Sequence, residues 1–532
     1  MSHFHDITLP DFTLAPASAG AGKTTALTRR FLQLILTVGL PHNDLRNILA
    51  VTFTKNAAGE MKERILETLK RAALGDNSTI RELQEVMDVD AEEVRSVAGM
   101  YVEKILDEYS DFQVQTIDSF ITRVLRASAM DLGLPPEFEV DFNPDAVLNE
   151  ALDLFAREIA SDPAKQELLA NLIDLISENR TAESRYLWNP LDTLAKEIHV
   201  LYRQLSSQTG EPKFEDSGTR LQELRQEILS RLQTIGKLSK RPGLVVSKHY
   251  AEIIERAHAG DIDAVTARTL SQKILNKPKG DYDTQAAAQV GALQEEIVTL
   301  TSEYVFLKSR ARYAPYIQAY RMIQHHIEHV KRRREAVFLG EANRSLAHML
   351  NAEIVPEIYF SLGEQIHHFL VDEFQDTSPI QWAVLRPLVE HSLGGRGSLF
   401  VVGDTKQSIY TFRGADWRIM GKMMERDEFP SVKTRLLPLT TNYRSAEALV
   451  EFTKEVFHAR VPTVIAPDVS DLSGLASYTQ NVRLELKGKG YVEVRVVEPP
   501  ASDEEKEHRA ENPPEREHLL HVVRDCRARG YG

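Results

Sequence analysis

The sequence predicts an α/β protein whose parallel sheet carries a phosphate-binding loop and is interrupted by a large all-helical insertion. Three observations predict this. A short apolar run, Phe12-Thr13-Leu14, leads into Ala15-Pro16-Ala17-Ser18-Ala19-Gly20-Ala21-Gly22-Lys23-Thr24-Thr25, and apolar residues then recur at helical spacing at Leu27, Phe31, Leu34, Ile35 and Val38. Further apolar, strand-forming runs end abruptly in polar clusters, the pattern of strands whose C-terminal ends face a ligand. From about Asn143 to Ala347 strand signals nearly vanish and heptad-like apolar spacing takes over.

The loop comes first. Small residues let the backbone curl until several N–H groups face an anion, and the helix N-terminus adds its partial positive charge. In that geometry Lys23 reaches the terminal phosphates and Thr24 offers its hydroxyl to Mg²⁺. The usual spacing asks for glycine where this chain has Ala17. Taken by itself, the loop also reads as a glycine-rich turn capping an ordinary helix.

Length and composition set the frame around it. A chain of 532 residues predicts about three or four domains. Its single cysteine, Cys526, excludes an internal disulfide, a cysteine-ligated iron–sulfur cluster and a zinc ribbon. Met1 to Asp6 lack a basic stretch followed by an apolar core, and no run is long and apolar enough to span a bilayer. The expectation is a cytoplasmic protein without a membrane partner. A net charge of −14 argues against non-specific coating of DNA, yet phosphate contacts need only a local basic groove.

The next run, Ile48 to Thr52, ends at Thr52-Phe53-Thr54 and gives way to a helix through Met61, Ile65 and Leu69. Arg81 to Tyr109 reads as an acidic, solvated helix pair. Val114 to Phe120 reads as a strand, followed by a helix from Ile121 to Met130. Within the helical insertion, turns are expected at Trp188-Asn189-Pro190, Lys240-Arg241-Pro242-Gly243 and Asn276 to Gly280. Lys237, Lys240, Arg241, Lys277 and Lys279 fall in loops, where they either meet phosphates or are simply solvated. The run Lys331 to Arg334 reads as a solvated helix face. His325-His326-Ile327-Glu328-His329 spells a zinc pattern without a third ligand, and reads as surface helix.

Strand pattern returns at Ile366 to Val371 and runs into Asp372-Glu373-Phe374-Gln375-Asp376-Thr377-Ser378. Beside a glycine loop, the adjacent carboxylates suggest that Asp372 holds Mg²⁺ and that Glu373 polarises a water attacking the γ-phosphate. Acidic pairs at strand ends also serve as helix caps. A further run, Ser398 to Val402, ends in Gly403-Asp404-Thr405-Lys406-Gln407-Ser408-Ile409-Tyr410-Thr411-Phe412-Arg413-Gly414-Ala415-Asp416, and a last block gives Leu439-Thr440-Thr441-Asn442-Tyr443-Arg444-Ser445.

These six ordered blocks, spread over residues 14 to 445, resemble motifs I, Ia, Ib/Ic, II, III and IV of the UvrD/Rep superfamily 1 DNA helicases. The Ala-Ser-Ala-Gly loop and Thr-Ile-Asp-Ser-Phe most resemble the RecB/AddA-like recombination helicases. The resemblance implies a RecA-like core formed by residues 1–142 and 346–430, a helical 1B-like insertion over 143–345, and the start of a second RecA-like domain over 431–532. It implies ATP and Mg²⁺ as cofactors and 3′ to 5′ movement on single-stranded or partly duplex DNA in repair or recombination. A nuclease or second recombination subunit would be a partner.

Residue by residue, the resemblance implies that Ala19, Gly20, Ala21, Gly22, Lys23, Thr24 and Thr25 cradle the nucleotide, with Tyr443 stacking on its base. Thr24 and Asp372 would be metal ligands and Glu373 the general base. Gln407 would sense the γ-phosphate, and Arg444 would act on the transition state, where arginine fingers contribute roughly 10³–10⁵ in rate. Thr52, Phe53, Thr116, Phe412 and Arg413 would touch single-stranded DNA, with stacking worth about 1–3 kcal/mol per base. Gln407 and Phe412 share one loop, so a phosphate contact and a base contact lie on one piece of backbone.

The chain departs from the family in several places. No adenine-reading glutamine block stands in Ile7 to Leu14, and Asp118 occupies a position where histidine is common. Gly490 to Glu498 reads as a strand, Ala501 to His518 as a charged linker, and a short helix follows. No motif V, motif VI or nuclease motif is found, so weak nucleotide binding and slow or absent hydrolysis are expected. Two other classes stay open, a non-catalytic nucleic-acid-binding or assembly piece and a P-loop ATPase acting on protein partners.

Overall fold

In the computed structural model the described residues are 7–530, apart from 38, 85–89, 135–139, 142–143, 179–189, 207–217, 277–280, 335–336, 352–354, 364, 476–477 and 495–513. The sheet is built from β1 (Asp11–Pro16), β2 (Ile48–Thr52) and β3 (Val114–Thr116). A two-stranded ribbon of β4 (Val140–Asp141) and β5 (Val337–Phe338) stands where the helical insertion leaves and rejoins it. After the insertion come β6 (His368–Val371), β7 (Ser398–Gly403) and β8 (Thr434–Leu436). The six-stranded order is β3-β2-β6-β7-β1-β8, and every pairing is parallel. The runs before Ala17, Thr52, Asp372 and Gly403 therefore share one sheet, as the sequence predicts.

The strands are near-continuous apolar runs because both faces are covered. Phe12, Leu14, Leu49, Val51, Phe369 and Val371 face one layer of helices, which includes Ile117–Ala127 and Pro379–Gly394. Ala15, Ile48, Ala50, Leu370, Phe400 and Val402 face the other, with Lys23–Leu36, Lys55–Ala73 and Ala91–Asp107. The alternation is the period of two that a pleated strand imposes. The first strand is also held by charge. Asp11 pairs with the buried Arg30 of the following helix and with Arg435 of β8, while Thr13 Oγ1 donates to Asp11 Oδ2 at 3.0 Å.

Several sequence expectations need correction. Val114 to Phe120 is not all strand: the helix begins at Ile117, because Thr116 Oγ1 accepts the Ser119 N–H at 3.2 Å and caps it. Tyr491 to Val494 form no strand. Tyr491 and Val494 are exposed, and no described strand pairs with them; residues 495–498 lie outside the described residues. The C-terminal helix, Pro514–Ala528, starts inside the stretch expected as linker. The solvated helix pair is amphipathic instead, with Val94, Ala98, Tyr101 and Ile105 buried. β8 and the β4–β5 ribbon were not expected at all.

The insertion builds two cores along one helix, Thr284–Arg334. Its N-terminal half packs Val290, Ile297 and Tyr304 with Leu224, Ile228 and Ile253. Its C-terminal half packs Tyr316, Ile323 and Ile327 with Leu148, Phe155 and Ile198. Lys331 to Arg334 is not simply a solvated face: Lys331 meets Glu328 and Glu341, and Arg333 and Arg334 meet Glu150. His326 is buried against Glu158 rather than at the surface, and among the described residues no group of metal-ligating side chains gathers. Lys240 to Gly243 is a turn, whereas Lys277, Lys279 and Trp188-Asn189 lie outside the described residues.

Candidate nucleotide and nucleic-acid site

Because the strands are parallel, their C-terminal ends gather the motif residues on one edge of the sheet. Ala17 follows β1, Phe53 follows β2, Asp372 follows β6 and Asp404 follows β7. At the first of these ends Ala17 continues the strand, donating its N–H to Gly403 O at 2.9 Å. The turn is made further on, where Gly20 and Gly22 adopt φ of 76° and 79° and the Lys23–Leu36 helix starts.

Lys23 Nζ lies 2.5 Å from Glu373 Oε2. Glu373 reaches it from a left-handed backbone, φ 49°, a conformation that costs a non-glycine residue roughly 1–2 kcal/mol. Three carboxylates stand here around that ammonium. Burial, with Glu373's charge adding, pushes Asp372 up to about 7, and the same two causes push Asp376 up to about 6. Asp376 Oδ1 is buried without a hydrogen-bond partner. A hydroxyl and a carboxylate are oxygen donors of the kind a hard divalent cation takes while keeping waters and phosphate oxygens in the rest of its shell. Thr24 and Asp372 thus fit Mg²⁺ in kind.

Gln375 links this cluster to the end of β7. Its Nε2 donates to Glu373 Oε2 at 2.7 Å, and its Oε1 accepts the Asp404 N–H at 2.9 Å. A Cβ on Gly403 would come within 2.8 Å of that oxygen and 2.7 Å of Met420 Sδ, so a side chain there would displace the Gln375 amide. Asp404 Oδ2 in turn accepts from Gln407 Nε2 at 2.6 Å. Sequence reasoning missed Gln375, Asp404 and Lys406. Their one signal was position, directly after the two central strands.

The Thr441–Asn442 segment docks onto the loop. Tyr443 N–H donates to Gly20 O at 2.9 Å, and Asn442 Nδ2 donates to Ala19 O at 3.1 Å. Asn442 Oδ1 accepts the N–H groups of Arg444 and Ser445. Tyr443 and Arg444 are exposed beside Gly22 and Gly20, at the loop's open side. Ala19, Ala21 and Thr25 lie on the same turn and first helical residues.

Beyond Glu373, the aromatic residues form a second cluster. The Phe53 and Tyr410 rings stack at 4.6 Å, Tyr410 and Phe412 stand 5.9 Å apart, and the Arg413 guanidinium lies 5.8 Å from the Phe412 ring. Phe412 is 71% exposed and Ile409 70%. Exposed apolar rings beside a cation, on the edge that holds the phosphate loop, offer faces for bases and charge for a backbone. Tyr410 was missed as a member. Thr52 and Thr116 pair in register on β2 and β3, but both are buried, with hydroxyls bonded to Thr54 O and within the helix cap. Asp118 accepts from Gln381 Nε2 at 2.7 Å, and burial raises its carboxyl.

Comparison with known proteins agrees with this architecture. Residues 10–428 match the model of the UvrD/REP helicase N-terminal domain. Among curated proteins, an ATP-dependent helicase/nuclease subunit of Exiguobacterium sibiricum is 27% identical over 91% of this chain and 41% of its own. The proteins of the same name from Levilactobacillus brevis and Carboxydothermus hydrogenoformans are 27% and 28% identical over 84% and 88% of this chain, and 37% and 40% of theirs. The chain thus spans about two fifths of the length of these relatives.

Proposed function

The chain belongs to the UvrD/REP helicase family, and from that premise we propose that it is the motor part of an ATP-hydrolysing DNA helicase acting in repair or recombination. The observation that carries the reading is the 2.5 Å contact of Lys23 with Glu373 on the same sheet edge as the Phe53–Tyr410–Phe412 cluster. A phosphate-handling cluster and a base-stacking cluster there share the segment from Asp404 to Arg413.

In this reading the backbone of Ala19 to Thr25 and the Lys23 ammonium hold the phosphates, and Tyr443 stacks on the nucleotide base. Glu373 takes a proton from the attacking water, Gln407 contacts the γ-phosphate, and Arg444 closes onto the developing charge. Thr24 and Asp372 would hold Mg²⁺, which neutralises phosphate charge when bound. Phe53 and Phe412 stack on bases of a single strand and Arg413 meets its backbone, while Thr52 and Thr116, buried with engaged hydroxyls, support that edge from beneath rather than touching the strand. Movement of the Gln407 loop shifts Phe412 with it, which suits stepwise travel along the strand, and the family resemblance gives its direction as 3′ to 5′. Residues 1–142 and 346–430 would form the RecA-like core, 143–345 the 1B-like insertion and 431–532 part of a second core. A nuclease or second recombination subunit is the expected partner.

The test is ATP hydrolysis by the chain with and without a single-stranded oligonucleotide, beside Glu373→Gln and Lys23→Ala. The reading expects nucleotide binding that Lys23→Ala abolishes and hydrolysis that is slow in the chain as given, is raised by oligonucleotide, and is lost in Glu373→Gln with nucleotide binding kept. Oligonucleotide binding without any nucleotide binding, indifferent to Lys23→Ala, would mean an assembly piece. Turnover indifferent to oligonucleotide would mean an ATPase working on other partners.

A further inference from the structure

The segment that carries Gln407 also carries a lysine with no task so far. Lys406 Nζ lies 2.6 Å from Asp404 Oδ1 and 3.3 Å from the Ala17 carbonyl oxygen, and stands 5.5 Å from the Tyr478 ring centroid. It thus grips the end of β7 and the first residue of the phosphate loop at once. Asp404 is 2% exposed, and the Lys406 backbone N–H also donates to its Oδ1 at 3.1 Å. Its other oxygen accepts from Gln407 Nε2 at 2.6 Å.

Burying the Asp404 carboxylate costs solvation, and the ammonium beside it offsets that cost. A carboxylate engaged on both oxygens also cannot turn, and the amide bonded to it points one way. An ammonium has three N–H donors, enough for Asp404 and Ala17 together. Any shift of the loop at Ala17 is therefore felt at Asp404 and passed to Gln407.

Resting on the reading above, we propose that Lys406 is a positioning residue: through Asp404 it aims the Gln407 amide at the terminal phosphate, and through the Ala17 carbonyl it ties that aim to the phosphate loop. Lys406 does not itself touch the nucleotide.

The experiment measures binding of a fluorescent Mg-ADP analogue to the full chain, alone and with aluminium fluoride as mimic of the phosphoryl group in transfer. The variants are Lys406→Met, Lys406→Arg, Gln407→Ala and the Lys406→Met/Gln407→Ala pair, with thermal melts to confirm folding. Lys406→Met should leave Mg-ADP affinity within about twofold and weaken the aluminium fluoride complex roughly tenfold, the worth of one charge-assisted hydrogen bond. Lys406→Arg should recover most of the loss. Gln407→Ala should match Lys406→Met, and the pair should be no worse than either, as for residues acting as one unit. Equal weakening of Mg-ADP, no weakening at all, or additive losses would each overturn the proposal. A wild-type chain that binds no Mg-ADP would bring down the nucleotide-site reading itself, and the positioning role with it.

Discussion

At residue scale, Ala17 shows how a departure from a motif can be harmless. The glycine expected there is dispensable because the backbone is still extended and its N–H pairs with Gly403. Gly20 is a different case. Its φ of 76° lies in the left-handed region, and a Cβ would meet Arg444 Cβ at 2.9 Å. Gly20→Ala should cost about 1–2 kcal/mol in backbone strain and push the Asn442–Arg444 segment off the loop. Nucleotide-binding titrations should show affinity falling more for Gly20→Ala than for Ala17→Gly; equal effects would mean that the docked segment is irrelevant to binding. Neither the Gly20 clash nor the left-handed Glu373 was legible in the sequence, since each depends on a partner hundreds of residues away or on a backbone angle.

At element scale, β6 is held in the sheet by more than its ladder. His368 is fully buried, with Nδ1 2.8 Å from Ser398 Oγ on β7 and Nε2 3.1 Å from Pro41 O. Burial lowers its imidazole to about 4. The unfolded chain takes up this proton near pH 6.5, well before the folded one does, so the neutral form's stability is full above that pH and is lost progressively down to about 4. The shift corresponds to about 3 kcal/mol. Urea unfolding at pH 7.5 and pH 4.5 should show a larger acid loss for the wild type than for His368→Gln; parallel losses would assign the acid sensitivity elsewhere. The existence of β6 was legible from its apolar run, whereas the early start of the Ile117–Ala127 helix was not. Thr116 and Ser119 continue a strand-like pattern, and only the cap bond sets the boundary.

At the scale of the whole molecule, the Thr284–Arg334 helix is about 76 Å long and joins two cores that do not merge. Between Tyr304 and Tyr316, residues 305–314 are exposed apart from a half-buried Leu307, and Pro315 removes one backbone donor. Hydrogen exchange should therefore find two protected stretches, around Ile297 and Ile323, separated by a faster-exchanging neck at 305–314. Uniform protection along the helix would mean that the two cores open as one unit.

The sequence by itself determined the parallel sheet, the glycine turn between β1 and the Lys23–Leu36 helix, the acidic pair after β6 and the interrupting helical insertion, because apolar period and short turn motifs are local signals. The tertiary structure alone decided the rest. It set Lys23 on Glu373 across 350 positions of chain, joined Gln375, Asp404, Lys406 and Gln407 into one hydrogen-bonded path, and gathered Phe53 with Tyr410. Such contacts arise where strands distant in sequence end side by side, and pairing between distant segments leaves no periodic trace in either one.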